Sequence, residues 1–335
     1  MQVDIKTTSV EQLRQTFSHV ARHLGSDKPA SRYQEASLNL QSTVNFHYRP
    51  LWDTEHELYD VRRTQIEMKD WYTFKDPRQY YYGSYTIARS RQQDTMEKNL
   101  EFVDRRGLLR DLPEDVREKI IFALVPMRHL EWGANLNNCY VTAYGYGTAI
   151  TQATMFHGMD RLGLAQYLSR IGLLLDGNNG ESLVHAKSLW MGHDAWQPLR
   201  RLIETMMVKR DWFELFVAQN LVLDGLLHPL VFSQFEPHVS AQHGPALSLL
   251  TEFMTTWFDE SSRWVDATVK TAAAESPANA QRLREWITSA RADVVAALRP
   301  YAEKLFGDGA NGFVEKVEAG FDARLVKLGL AGKVS

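Results

Sequence analysis

The chain has 335 residues, with 38 Lys and Arg against 41 Asp and Glu, a balance that offers no electrostatic grip on nucleic acid or an anionic membrane. Cys139 is its one cysteine, which excludes an intramolecular disulfide and any CxxC metal or redox centre. Residues 1–6 hold no apolar signal-type run, and no stretch approaches the ~20 unbroken apolar residues of a membrane span. The expectation is a soluble chain in a reducing, cytoplasmic setting.

Near the amino terminus, Ser9-Val10-Glu11-Gln12 has the form of a capping box, with the Ser hydroxyl accepting the N3 amide and Gln12 reaching back. Val10, Leu13, Phe17, Val20 and Leu24 continue as an apolar stripe that Gly25 can end. Residues 26–90 differ. Pro29, Pro50 and Pro77 interrupt a segment carrying Tyr48, Trp52, Tyr59, Trp71, Tyr72, Phe74, Tyr80, Tyr81 and Tyr82. Its helical periodicity is weak, and Val, Ile and Leu are too sparse for a sheet. The segment reads as an extended arm with a short helix near 55–69. An arm this aromatic aggregates if left free, so it is expected to lie on a partner surface; the alternative is that it wraps its own bundle.

From about residue 94 the pattern is helical. Asp111-x-x-Glu114, with Pro113 beside it, is a start signal, as is Asp194-x-x-Gln197 followed by Pro198. The periodicity predicts helices near 114–145, 148–175, 194–227, 245–272, 277–306 and 312–328. Turn chemistry marks the breaks: Asp176 to Gly180, His228-Pro229, Glu236-Pro237 through Gly244-Pro245, Ser276-Pro277 and Gly307-Asp308-Gly309. Runs at 212–227 and 247–258 are apolar nearly all round, so they are buried within a bundle or against another subunit. The fold class is all-α, divided into residues 1–93 (a helix and an arm) and 94–335 (a helical bundle). No Gly-x-Gly-x-x-Gly, Walker loop or Gly-x-Ser-x-Gly occurs.

A four-helix metal frame takes one Glu from each of two helices and a Glu-x-x-His from each of the other two, because i and i+3 share a face. This chain has the order and spacing of such a frame, but no Glu-x-x-His. Glu131 and Asp224, the latter in Asn220-Leu221-Val222-Leu223-Asp224, stand at the single positions. The paired positions are Arg161/Leu164 and Glu260/Arg263. Only the carboxylates Glu131, Asp224 and Glu260 could bind a metal, and Arg is never deprotonated in a protein. The expected physics is therefore ion pairing, with Arg161 and Arg263 held by Glu131, Asp224 or Glu260 in place of a metal.

These residues resemble the hydroxylase subunits of bacterial multicomponent monooxygenases, the methane, toluene and phenol group. Asp160-x-x-x-x-x-Gln166 looks like the Asp-Glu-x-Arg-His-x-Gln of the catalytic large subunit. The run 220–224 resembles its Asn-Leu-Val-x-Glu, and Asp259-Glu260-Ser261 its second Asp-Glu-x-Arg-His. Trp71-Tyr72-Thr73-Phe74-Lys75-Asp76-Pro77-Arg78-Gln79-Tyr80 looks like the Trp-Tyr-x-Phe-x-Asp-Pro-x-x-Tyr signature of the smaller β subunit, which has the large subunit's fold without its metal. The likeness to the phenol hydroxylase β subunit is greatest, with toluene monooxygenase next.

The resemblance implies a ferritin-like bundle, degenerate and without a di-iron site. It further implies a non-catalytic scaffolding subunit, with neither catalytic residue nor cofactor of its own, in an (αβγ)2 heterohexamer. The α subunit would hold two irons and hydroxylate phenol with O2 in aromatic hydrocarbon catabolism. A reductase carrying FAD and an iron–sulfur cluster would bring electrons from NADH, and a small regulatory protein would dock on the hydroxylase. Subunit contacts are expected from Trp71, Tyr72, Phe74, Asp76, Pro77, Tyr80, Tyr81 and Tyr82. Other readings are a toluene or alkene monooxygenase β subunit, a metallo-oxidase using Glu131, Asp160, Asp224 and Glu260, and a stand-alone helical interaction protein.

Several residues read as structural. His228, His238 and His243 cluster around one predicted loop without a carboxylate at ligand spacing, so loop packing is expected. His157 is expected at the core's edge, and Cys139 as a small buried hydrophobe. Arg105-Arg106 and Arg200-Arg201 are expected on solvated faces.

Overall fold

The structure, a computed structural model, describes residues 18–25, 28–43 and 49–331. The predicted capping box at 9–12, the stripe residues Val10, Leu13 and Phe17, and Tyr48 lie outside them. The described helices are α1 (Ser18–Leu24), α2 (Arg32–Ser37), α3 (Tyr82–Arg106), α4 (Glu114–Leu124), α5 (Met127–Tyr144), α6 (Thr148–Leu175), α7 (Glu181–Gly192), α8 (Gln197–Met206), α9 (Trp212–His243), α10 (Ala246–Glu275), α11 (Pro277–Phe306) and α12 (Ala310–Leu328). No strand occurs among the described residues.

Local chemistry sets the helix ends. The Asp211 carboxylate accepts from the Phe213 and Glu214 amides and starts α9, while Ser276 caps α11 ahead of Pro277, a placement in which the missing proline N–H costs nothing. Gly107 ends α3 in the left-handed region at φ 63°, where a Cβ would be strained. The centre is formed by α5 and α6, joined by a tight turn, and by α9 and α10. α11 packs on α9 and α10, α12 packs on α11, and α3 packs on α10.

α9 is long and apolar enough to cross a membrane by length and composition alone, with a mean hydropathy of 1.5 in its most apolar window. That window is 94% buried inside the fold, so α9 is the core helix that its all-round apolar pattern implied. The expected breaks at His228-Pro229 and Glu236-Pro237 are absent, because both pairs lie inside α9. Val217–Leu223 and Pro229–Phe235 are π-helical. Pro229 lacks the N–H that would bond the carbonyl four residues back, and a change to i→i+5 spacing at that point lets a later N–H take its place. The break falls instead at Gly244, whose φ of 88° turns the chain into α10. The predicted run 194–227 is likewise two helices, α8 and α9, separated where Asp211 caps.

The amino-terminal arm departs furthest from expectation. α3 begins at Tyr82 and runs through position 93; its central inward residue is Arg89, held by ions rather than by apolar contact, so the hydrophobic period is hidden there. The predicted helix near 55–69 is a single 3-10 turn, Val61–Arg63. Side chains organise the rest of that segment: Arg63 donates to the Glu57 carbonyl at 3.1 and 2.9 Å and to Asp53 Oδ2 at 2.7 Å.

The arm wraps its own bundle. Trp71 packs 5.7 Å from both Trp212 and Tyr146, and Phe74 packs 6.3 Å from Phe213. The Gln65 amide donates to Asp211 Oδ2 at 2.7 Å, and the Asp76 amide to the Tyr33 hydroxyl at 2.7 Å. Of the expected subunit contacts, Trp71, Phe74, Asp76 and Tyr80 are buried within the chain, Tyr72 and Tyr81 are half-buried, and Pro77 and Tyr82 are exposed.

Candidate functional site: a buried arginine centre

Arg161 stands at the middle of the bundle and is wholly buried, between Glu131 of α5 and Asp224 of α9. Its Nη1 donates to Glu131 Oε2 at 2.9 Å, and its Nη2 donates to Asp224 Oδ2. His157, one turn earlier on α6, has Nε2 3.3 Å from Arg161 Nη2; His228, one turn after Asp224, has Nε2 3.4 Å from Nη1 and 3.5 Å from Glu131 Oε1. The indole of Trp257 lies against the guanidinium, 4.6 Å from ring centroid to Cζ, a cation–π contact that gains strength without water. Gln219 Nε2 donates to Asp224 Oδ1 at 3.0 Å, and Asn137 Nδ2 donates to Gln219 Oε1 at 2.9 Å. Beside them Asn138 and Asn220 exchange amide hydrogen bonds of 3.1 and 2.9 Å.

Burial and charge pull these groups in opposite directions. At Glu131 burial pushes the carboxyl pKa up, but Arg161 and His228 more than offset it and hold the group below the ordinary range. At Asp224 burial prevails over Arg161 and His228, and the pKa is raised. Arg161 also feels burial most, yet Asp224 and Glu131 raise it above its ordinary value. His157 is held well below the usual imidazole range by burial, then by Arg161, Arg78 and Arg89. It is therefore neutral, and its Nε2 can accept from a guanidinium that only donates.

A second charged cluster lies one helical face away. Arg89 of α3 donates from Nε and Nη2 to Asp160 at 2.6 and 2.7 Å, and from Nη2 and Nη1 to Glu260 at 2.9 and 3.1 Å. Asp160 also accepts from the Tyr85 hydroxyl at 2.8 Å and from Trp257 Nε1 at 3.0 Å. Arg78 from the arm binds Asp76 at 2.9 and 3.0 Å and lies 3.7 Å from Glu260. Trp257 thus touches both centres, with its face on Arg161 and its N–H on Asp160.

Glu131, Arg161 and Asp224 come together as the sequence predicts. Leu164 is buried in the apolar core. Glu260 is ion-paired, but with Arg89 rather than Arg161. Arg263 is exposed, and its expected place at the centre is incorrect. On α10 the buried positions are Trp257, Ser261, Trp264 and Thr268, and at 100° per residue position 263 is rotated off that face. His228 is also misjudged by the sequence reading. It is buried at the centre beside a carboxylate, apart from the exposed His238. His157 is central rather than at the core's edge, and Cys139 is exposed on α5 rather than buried. Sequence reasoning missed Arg89, Arg78, Tyr85, Trp257 and Gln219. The i, i+4 pairs His157/Arg161 and Asp224/His228 were a usable signal for the two histidines, since that spacing puts both side chains on one face.

These donors do not fit a metal pair. Each carboxylate of the centre is bonded to a permanent cation, and a dication in contact with Arg161 would be repelled at low dielectric. Among the described residues no group of His, Cys, Asp and Glu is arranged to hold a metal ion.

The site's histidines set an acid limit on stability. His157 is depressed, and His129 is lowered to about 4 by burial, then by Arg128 and Lys187. An imidazole depressed in the folded state is protonated first in the unfolded chain. Its contribution is complete above about pH 6.5 and is lost as pH falls from there towards the folded value. The thermal midpoint is expected to drop steadily between about pH 7 and 5, with a slope of up to about 1.4 kcal/mol per pH unit per histidine. A flat profile across that interval, measured by scanning calorimetry, would contradict the assignment.

The all-helical architecture, with a charged centre held between two helix pairs, defines a ferritin-like bundle of the hydroxylase type. The methane/phenol/alkene hydroxylase family model matches residues 52–276, and the chain belongs to that family. It is 47% identical over 333 residues to the phenol 2-monooxygenase oxygenase component DmpL of Pseudomonas sp. (strain CF600), covering 99% of each chain. It is 48% identical to the corresponding component MhpL of Acinetobacter pittii (strain PHEA-2), covering 98% of each. Identity to the hydroxylase subunit beta of the toluene-4-monooxygenase system of Ectopseudomonas mendocina is 25%, over 88% of this chain and 91% of that one. A crystal structure of xenon-pressurized phenol hydroxylase from Pseudomonas sp. OX1 superposes with a TM-score of 0.91 at 43% identity, covering 98% and 99% of the two chains.

Proposed function

We propose that this chain is the non-catalytic β subunit of a phenol hydroxylase oxygenase component, which scaffolds a separate di-iron subunit. One observation carries the reading. The carboxylates that would build a metal site, Glu131, Asp224, Asp160 and Glu260, are taken up in two separate sets by Arg161 and Arg89. A centre filled by guanidinium has neither an open coordination position nor a group poised to exchange protons with substrate. The same observation weighs against a carboxylate-only metallo-oxidase. The relatives named as phenol 2-monooxygenase components favour phenol over toluene or an alkene as the substrate of the complex.

In this reading the α subunit supplies iron and O2 chemistry, and the reductase with FAD and an iron–sulfur cluster supplies electrons from NADH. The α, β and γ chains assemble as (αβγ)2 with a regulatory protein in attendance, in the cytoplasm. Pro77, Tyr82, Tyr72 and Tyr81 are the arm residues left with surface to offer a partner. The test is co-expression with the large hydroxylase subunit, followed by iron analysis of each purified chain. The expected result is a stoichiometric complex whose iron stays with the large subunit. Roughly one iron or more per isolated β chain, or phenol turnover by this chain alone with a reductase, would refute the reading.

A further inference from the structure

The outer face of α5 and α6 carries no charged side chain. Along α5 the exposed positions are Trp132, Leu136, Cys139 and Ala143; along α6 they are Met155, Met159, Leu162 and Gln166. Each set recurs at helical spacing and forms one ridge. Trp132 is 54% exposed and Met159 49%. The two ridges run side by side, because Asn135 on α5 donates to the Gly158 carbonyl on α6 at 2.7 Å. α10, by contrast, exposes Glu252, Asp259, Arg263 and Lys270. Next to Met155 the face continues into a groove of about 380 Å3 lined by Leu40, Tyr59, Gln152 and Phe156.

Contiguous exposed apolar surface on a folded chain marks a contact, and Trp and Met are side chains that concentrate at interface centres. Charge decides the chemistry of the occupant. A Lys or Asp presented to this face would lose its water and find no counter-ion, so the occupant must be uncharged where it touches. Two neighbouring ridges leave grooves that accept the ridges of other helices. We propose that the large, catalytic hydroxylase subunit docks here through an uncharged helix pair of its own. The proposal rests on the subunit reading above. It places the main contact over α5 and α6, the helices that carry Glu131 and Arg161, rather than on the aromatic arm.

The experiment co-expresses a tagged large subunit with this chain and follows co-elution in size-exclusion chromatography. Met159→Lys and Leu162→Glu are each expected to abolish co-elution while leaving the circular dichroism and thermal midpoint of the isolated chain within about 2 °C of wild type. Val326→Lys places a charge on an apolar site of α12 that is 65% exposed, and should leave the complex intact. Co-elution of both α6 variants overturns the docking face, as does equal disruption by Val326→Lys. A homodimer of the isolated chain that both α6 variants dissolve would assign the face to a second copy instead. If the wild-type chain itself fails to co-elute, the subunit reading falls, and the docking face with it.

Discussion

An Arg161→Leu chain is expected to unfold with about 3–5 kcal/mol less stability than wild type. The loss is not chiefly that of attractive bonds. Glu131 and Asp224 are 1% and 3% exposed, and without the guanidinium they remain buried as two carboxylates with no cation between them. They must then take up protons or repel each other, and either course is costly at low dielectric. Urea denaturation at neutral pH measures the effect, and the deficit should shrink as the pH is lowered and the carboxyls are neutralised. The triple change Arg161→Leu, Glu131→Leu and Asp224→Leu should recover most of the loss, because apolar side chains of similar volume often replace a buried ion set without penalty. A single change costing under about 1 kcal/mol would mean that water or repacking already screens the centre.

Asp160→Ala should have a comparable effect, about 3–5 kcal/mol, for a different reason. Asp160 gathers the Arg89 guanidinium, the Tyr85 hydroxyl and the Trp257 indole N–H. Its removal leaves Arg89 with Glu260 alone and two buried donors without acceptors, each costing about 1–3 kcal/mol. The free energies of Asp160→Ala and Arg161→Leu should also fail to add, since Trp257 touches both clusters and neighbouring sites couple. A double-mutant cycle reads this directly; strict additivity would show that Trp257 transmits nothing between the two sets.

The fold was largely legible because helical periodicity, proline and glycine report on local backbone preference, which this chain follows from Glu114 to Leu328. The Arg161 pairing was legible because Glu131, Arg161 and Asp224 keep the spacing of a four-helix frame. Arg263 was misplaced because a sequence motif fixes spacing along a helix but not the rotation of that helix about its axis. Trp257 and Trp264 turn α10 so that 263 points outward. The arm was half legible. Its aromatic content called correctly for an apolar surface to cover, but only the packed chain shows that Trp212 and Phe213 supply it. Arg89 escaped notice because a buried cation in a polar stretch of helix looks like any exposed one until its carboxylates, 71 and 171 residues away in sequence, are brought beside it.

Each π segment of α9 is an α-helix with one residue more than its hydrogen bonds require. Deleting a residue within Val217–Leu223 would return that stretch to ordinary spacing and turn everything before it by about 100° relative to Asp224. Asp224 and His228 would still face Arg161, but Trp212 would swing away from Trp71 and the arm. The surplus residue therefore lets a single helix keep two registers, one half aligned to the arm and the other to the charged centre. Changes in the arm's packing and changes in the centre are thereby free to accumulate independently.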